Sequence, residues 1–240
     1  MSALAAPLPV FVPGVGATPL AFAHQIEVFD GAVLRGLPGH GADAGAPLQK
    51  MHAHAEHLLD ELATVPRPRV IVGHSLGAAV ALQAVVGAPE AVDGLVVIAS
   101  GAELPLPGGA LERCADDFDA EVRRLAEQSF AAPEAESVTV RAEEIREIGQ
   151  NALLADYASC ADYRLTDELG SIQLPILVIA ASDDLMWSVD QSEELARGLP
   201  MSQMVVVEEA GHMVQVERPH AVNLLIAGYL ARLELTLGGY

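Results

Sequence analysis

Val70-Ile71-Val72-Gly73-His74-Ser75-Leu76-Gly77-Ala78-Ala79 decides how this chain is read. A β-branched apolar run meets Gly-x-Ser-x-Gly, and an alanine-rich, helix-favouring segment follows directly. The pattern predicts a buried strand that turns sharply into a helix, with one serine at the apex. So tight a turn leaves no room for bulk at the flanking positions, and Gly73 and Gly77 supply none. Ser75 then stands at the carboxyl end of a sheet, and the helix start directs its N–H groups at any negative charge that develops there. A bare Gly-x-Ser-x-Gly arises by chance in roughly one chain in ten of this length. The strand before it and the helix after it are the context a nucleophile requires.

Outward from this stretch, short apolar runs alternate with helical patterns. Leu8–Val12, Ala32–Leu37, Leu95–Ala99, Ile176–Ala181 and Met204–Val207 read as further strands. Helices are expected from Thr18–Pro19 to about Phe29, from Pro47 to about Val65, near Gln191–Arg197 and from Ala221 to Leu235. This alternation argues for a three-layer, doubly wound α/β fold with a mostly parallel sheet of about six strands. Between Leu104 and Leu169 the rhythm breaks into charged helical material, Ala110–Phe130, Glu134–Gln150 and Asn151–Tyr163. Residues 1–103 and 170–240 are therefore expected to form the core, with 104–169 inserted as a helical lid.

Composition bounds the rest. The chain has 240 residues, 51% hydrophobic and 19% charged, the balance of one globular domain with a sizeable core. Thirteen basic residues against 33 acidic ones give a formal charge of −20, a field that repels nucleic acid and anionic membranes. Neither is expected as a partner. Cys114 and Cys160 are too few for a disulfide framework. No signal peptide and no apolar run of membrane-spanning length is read, so the expected location is cytoplasmic.

A serine hydroxyl needs a base to take its proton and an acid to orient that base. Ile176–Ala181 runs into Ser182-Asp183-Asp184, and Met204–Val207 into Glu208-Glu209-Ala210-Gly211-His212, so the later strand ends supply both. With Pro13-Gly14-Val15-Gly16, Leu37-Pro38-Gly39-His40-Gly41 and Glu217-x-Pro219, these motifs stand in the order of the α/β-hydrolase fold superfamily. The chain resembles its small serine esterase and lactonase-like branch over essentially the whole length. The resemblance implies Ser75 as nucleophile, His212 as base and an aspartate as orienter. Family members place that aspartate three residues past a strand-end glycine; Ala181 takes the glycine's place, which selects Asp184 over Asp183. The oxyanion hole is then the backbone N–H of Val15 and Leu76. Two departures stand out: the usual His-Gly of the oxyanion loop is Pro13-Gly14, and the N-terminal antiparallel hairpin common in the fold is missing.

The expected activity is cleavage of a small-to-medium carboxylic ester through an acyl-enzyme, with a small-molecule ester or thioester as partner. The same triad also serves lactonases, thioesterases and the elimination lyases of menaquinone pathways; a non-catalytic small-molecule receptor is a further reading of the fold. Met186, Trp187, Met213 and His74 are candidate pocket residues, His74 with packing as its main task. His40 reads as a turn residue. His52, His54 and His57 read as a solvated helix face, since no acidic or cysteine ligand completes a metal set. Gly14-x-Gly16 fails as a dinucleotide fingerprint because Pro19 stands where the third glycine belongs. No cofactor or metal is expected. The arginines of the insertion, Arg113, Arg123, Arg124, Arg141, Arg146 and Arg164, read as a mixed-charge surface in preference to a dock for an anionic partner.

Overall fold

The computed structural model describes residues 6–41 and 45–238. Six strands, β1 (Leu8–Val12), β2 (Val33–Leu34), β3 (Arg69–His74), β4 (Gly94–Ile98), β5 (Ile176–Ala181) and β6 (Ser202–Val207), form one sheet in the order β2-β1-β3-β4-β5-β6. Every pairing is parallel, with Val72 opposite Phe11 on one side and Val96 on the other. No strand of an N-terminal hairpin is present among the described residues.

A parallel sheet needs both faces covered, and strand alternation divides the side chains accordingly. Val10, Ile71, Leu95, Val97 and Val178 point to one face, against α2 (Met51–Leu62), α3 (Leu76–Gly87) and α8 (Val189–Gly198). Phe11, Val72, Val96, Ile98 and Ile179 point to the other, where Phe22, the short α9 (Val214–Glu217) and α10 (Pro219–Gly238) lie. The sequence reading found no run of membrane-spanning length, and α10 corrects it: its 20 residues are long and apolar enough to cross one. In this fold Val222, Ile226, Tyr229 and Leu233 recur at helical spacing and pack on the sheet. The Tyr229 hydroxyl donates to the Pro175 carbonyl at 2.7 Å and accepts the Leu95 N–H at 3.0 Å, fastening the helix across β4 and β5.

Element boundaries depart from the sequence reading where local chemistry intervenes. The segment opened by Thr18 and Pro19 is capped as expected, the Thr18 hydroxyl accepting from Leu20 N–H, but it forms a 3₁₀ turn and then the short α1 (Ala23–Ile26). The helix expected from Pro47 begins only at Met51. The expected strand 32–37 shrinks to Val33–Leu34, an edge strand with a single neighbour.

Between β4 and β5 the chain forms α4 (Ala110–Asp116), α5 (Phe118–Gln128), α6 (Ala135–Ile148) and α7 (Gln150–Ala161). Asp117 splits the first of the expected helices and caps α5, its carboxylate accepting the Ala120 N–H at 3.1 Å. Val122, Leu125, Ile145, Leu153 and Tyr157 give these helices an apolar core of their own. At its edge Glu121, fully buried, accepts from Arg113, Arg124 and the Tyr157 hydroxyl. Burial alone would raise the Glu121 pKa; the hydrogen bonds from Arg124, Tyr157 and Arg113 and the Arg124 charge outweigh it and hold it below the usual carboxylate value.

Candidate active site

The strand order reverses between β1 and β3, which places a crevice outside the carboxyl ends of those two strands. β3 ends at His74 and α3 begins at Leu76, leaving Ser75 alone in the turn at φ 50°, ψ −119°. A non-glycine residue in that region costs on the order of 1–3 kcal/mol and persists only where its surroundings hold it. The Ser75 N–H donates to Ile98 O at 2.9 Å, and the Ser100 hydroxyl donates to Ser75 O at 2.8 Å. The two motif glycines are needed for contact. A Cβ on Gly73 would come within 2.6 Å of Ala78 N, and one on Gly77 would strike the carbonyl oxygens of Val12 and Pro13. The loop after β1 packs directly on the turn, for a Cβ on Gly14 would lie 2.8 Å from that of Ser75. Neither the Val15 nor the Leu76 N–H has an acceptor among the described residues; Leu76 follows Ser75 in the chain, and Val15 follows Gly14 in the loop packed on it.

Asp184 lies just past β5 and its side chain is fully buried. One carboxylate oxygen accepts the Met186 and Trp187 N–H groups at 2.8 and 2.9 Å; the other accepts from His212 Nδ1 at 2.8 Å. Asp183 instead accepts from the neighbouring Ser182 hydroxyl. With Nδ1 donating to a carboxylate, the neutral His212 ring leaves Nε2 unprotonated, able to take a proton.

The loop that carries His212 is held along its length. Glu217 accepts Gly211 N–H at 2.7 Å and Ala131 N–H at 2.9 Å, and Ser129 O accepts Met213 N–H at 2.9 Å. His74 does more than pack: its Nε2 donates to the His212 carbonyl at 2.9 Å, with the two ring centroids 4.8 Å apart. Burial first, and then the neighbouring His212, push the His74 pKa well below 6.5, so the ring stays neutral while it holds that bond. Sequence reasoning missed this role, although the motif places residue 74 beside the serine.

Ser75 and His212 open into one cavity of about 350 Å³. Val15, His74, Met186, Trp187 and Met213 line it, as do Leu104–Pro107, Leu125 and Tyr157 from the segment between β4 and β5. No hydrogen bond joins the Ser75 hydroxyl to His212 among the described residues; the two meet across this shared space. Cys160 also lines the cavity, but burial and then the Asp156 charge push its pKa up, so it stays an unreactive thiol.

Other polar residues fall differently from the sequence reading. His40 is no simple turn residue: it is buried, with Nε2 3.0 Å from Asp156 and Nδ1 2.8 Å from the Ala17 carbonyl. His54 leaves the solvated face expected for it and is buried, its Nε2 donating to Leu48 O at 3.0 Å; His52 and His57 are exposed. Among the described residues no group of three or more His, Cys, Asp or Glu side chains could hold a metal. The arginines of α4–α7 are largely paired: Arg113 and Arg124 with Glu121, Arg141 with Glu144, Arg146 with Asp119.

A model of the alpha/beta hydrolase family matches residues 10–223. Among curated proteins the chain is similar to "Putative carbamate hydrolase RutD" of Cronobacter turicensis, at 29% identity over 95% of this chain and 92% of that protein. It is similar also to the pimeloyl-[acyl-carrier protein] methyl ester esterase of Vibrio campbellii, at 26% identity over 81% and 82%. Against the RutD proteins of Caulobacter sp. (strain K31) and Agrobacterium fabrum the matched region spans 65% and 66% of the relative's length. Among solved structures, a thermophilic esterase superposes with a TM-score of 0.87 at 24% identity, over 94% of this chain and 90% of that one. Est816, described as an N-acyl homoserine lactone degrading enzyme, does so with a TM-score of 0.79 at 25% identity, over 93% of each.

Proposed function

Since the chain belongs to the alpha/beta hydrolase family, we propose that it is a serine hydrolase acting on a small-to-medium carboxylic ester through an acyl-enzyme. The observation that carries this reading is the cavity that Ser75 shares with His212, whose Nδ1 is engaged by the buried Asp184 at 2.8 Å. Ser75 Oγ attacks the ester carbonyl while His212 Nε2 accepts its proton. The ring returns that proton to the departing alkoxide. Asp184 holds the tautomer and balances the imidazolium formed in between. The unclaimed N–H groups of Val15 and Leu76 receive the oxyanion, each worth roughly 10²–10³ in turnover. Water, activated by the same histidine, then releases the acid.

The cavity wall supports an apolar acyl group, with Leu104–Pro107, Leu125, Met186 and Met213 along it. The helices between β4 and β5 supply much of that wall and act as the lid of the site. A lactone is an internal ester and undergoes the same steps, so the lactone-degrading relative fits this mechanism.

The test is labelling with a fluorophosphonate probe, followed by turnover of a panel of p-nitrophenyl esters, thioesters and lactones. We expect labelling at Ser75, preference for short to medium acyl chains, and a loss on the order of 10⁶ in turnover for Ser75→Ala. Unchanged turnover in that variant would sink the reading.

A further inference from the structure

The loop that packs on Ser75 is a four-residue turn. Ala17 N–H donates to Gly14 O at 3.2 Å, and Gly16 sits at φ 58°. Turns closed this way exist in two forms that differ by a flip of the central peptide, here Val15–Gly16, and a positive φ at the third position marks one of them. The Val15 N–H belongs to the first peptide of the same turn, so loosening the turn moves that donor relative to Ser75.

Both ends of the central peptide are tied to the segment between β4 and β5. Arg141 of α6 donates from Nη2 to Val15 O at 2.8 Å, and Asp156 of α7 accepts the Gly16 N–H at 2.8 Å. Arg141 Nη1 donates to the next carbonyl, Gly16 O, at 2.5 Å. Each tie is itself buttressed. Glu144 accepts from Arg141 and from both the N–H and the hydroxyl of Thr18, all at 2.7 Å; His40 meets the other Asp156 oxygen at 3.0 Å. Arg141 and Asp156 are 5% and 1% exposed, so these charge-assisted bonds lie where water competes little. Glu144 offsets the guanidinium charge, which argues against Arg141 serving as an anion receptor.

We propose that Arg141 and Asp156 are positioning residues: acting on opposite ends of the Val15–Gly16 peptide, they hold the oxyanion turn in one form and so hold the Val15 N–H at the reacting carbonyl. The proposal rests on the serine-hydrolase reading above. It supplies a support for the turn in a chain where Pro13 stands in place of the loop histidine that the sequence resemblance leads one to expect.

The experiment compares the intact protein with Asp156→Ala, Arg141→Lys and Arg141→Met. It measures kcat and KM on p-nitrophenyl butyrate, and hydrogen–deuterium exchange across residues 13–18. A donor displaced without being deleted should cost less than its full worth, so kcat is expected to fall by about 10- to 100-fold. KM should stay within about threefold, and exchange should quicken at 13–18 with β3, β4 and β5 unchanged. Asp156→Ala removes the acceptor of the Gly16 N–H, and serves as the decisive variant should Arg141→Met fail to fold. Wild-type kcat and wild-type exchange in folded Asp156→Ala overturn the proposal. So does exchange that quickens throughout the chain, which would mark a general structural staple. A defect confined to anionic esters in the Arg141 variants, with neutral esters unaffected, also overturns it, in favour of substrate binding. Failure of the hydrolase reading is seen separately, as wild-type protein that the fluorophosphonate leaves unlabelled at Ser75, while the exchange at 13–18 reports on the tie itself.

Discussion

Asp184 shows how much one side chain must satisfy at this site. Its carboxylate accepts two backbone N–H groups and His212 Nδ1 while fully buried. Asparagine would present an NH₂ to a partner that needs an acceptor and reverse the tautomer of His212. We expect Asp184→Asn to lower turnover by about 10⁴ with the fold retained, read from steady-state kinetics beside a circular-dichroism melt. His40 poses a different question, because both ring nitrogens face oxygens that only accept, Asp156 and the Ala17 carbonyl. Only the imidazolium can donate to both. Burial by itself would lower the His40 pKa, and Arg141 opposes the charge as well; the Asp156 charge and the hydrogen bonds to Asp156 and Ala17 outweigh them and raise it above 6.5. The folded protein therefore binds more protons than the unfolded chain at and above pH 6.5. The contribution is complete below 6.5 and is lost as pH rises through the folded-state value. In denaturant titrations across pH, His40→Gln should show its largest stability deficit below pH 6.5 and a shrinking one in alkaline buffer.

Elements were legible in the sequence to the extent that they make their own local signal. The strands around Ile71, Val96 and Val178 carry apolar runs rich in β-branched residues and buried on both faces, and the sequence reading places each within a residue or two. The edge strand is shorter than the sequence reading has it, because Arg35 and Gly36 interrupt the apolar run after Val33–Leu34 and only one strand lies beside it. The elbow, Asp184 and His212 could be read because each stands at a strand end, in an order shared with a known family. The ties from Arg141, Asp156 and His40 could not. Those partners lie 116 to 140 residues from the atoms they hold, and no periodicity records which polar side chain will be buried. Helix α10 belongs at this scale as well. Ile226 is fully buried on the sheet face remote from α2 and α3. Ile226→Ala should cost about 2–5 kcal/mol of stability, measured by denaturant unfolding, with kcat per folded molecule unchanged. A loss of kcat without loss of stability would contradict the division between covering helix and site.

At the scale of the whole molecule, sheet order brings the site together. The Ser75 turn follows β3 and the Gly14–Ala17 turn follows β1, on either side of the reversal, so adjacent strands bring the two together without long side chains having to reach. Around that site the chain carries a formal charge of −20, and the arginines nearest the cavity, Arg124 and Arg141, are matched by Glu121 and Glu144. An approaching substrate meets a negative field with little local positive charge to offset it. Cationic esters should therefore be captured faster than anionic ones of equal size, through kcat/KM and not through kcat. Salt identifies the cause, because the Debye length shrinks from about 30 Å at 0.01 M to about 8 Å at 0.15 M. The ratio of kcat/KM for a choline ester over a matched succinate half-ester should fall toward unity across that range. A preference that persists unchanged in salt would instead assign the discrimination to contacts inside the cavity.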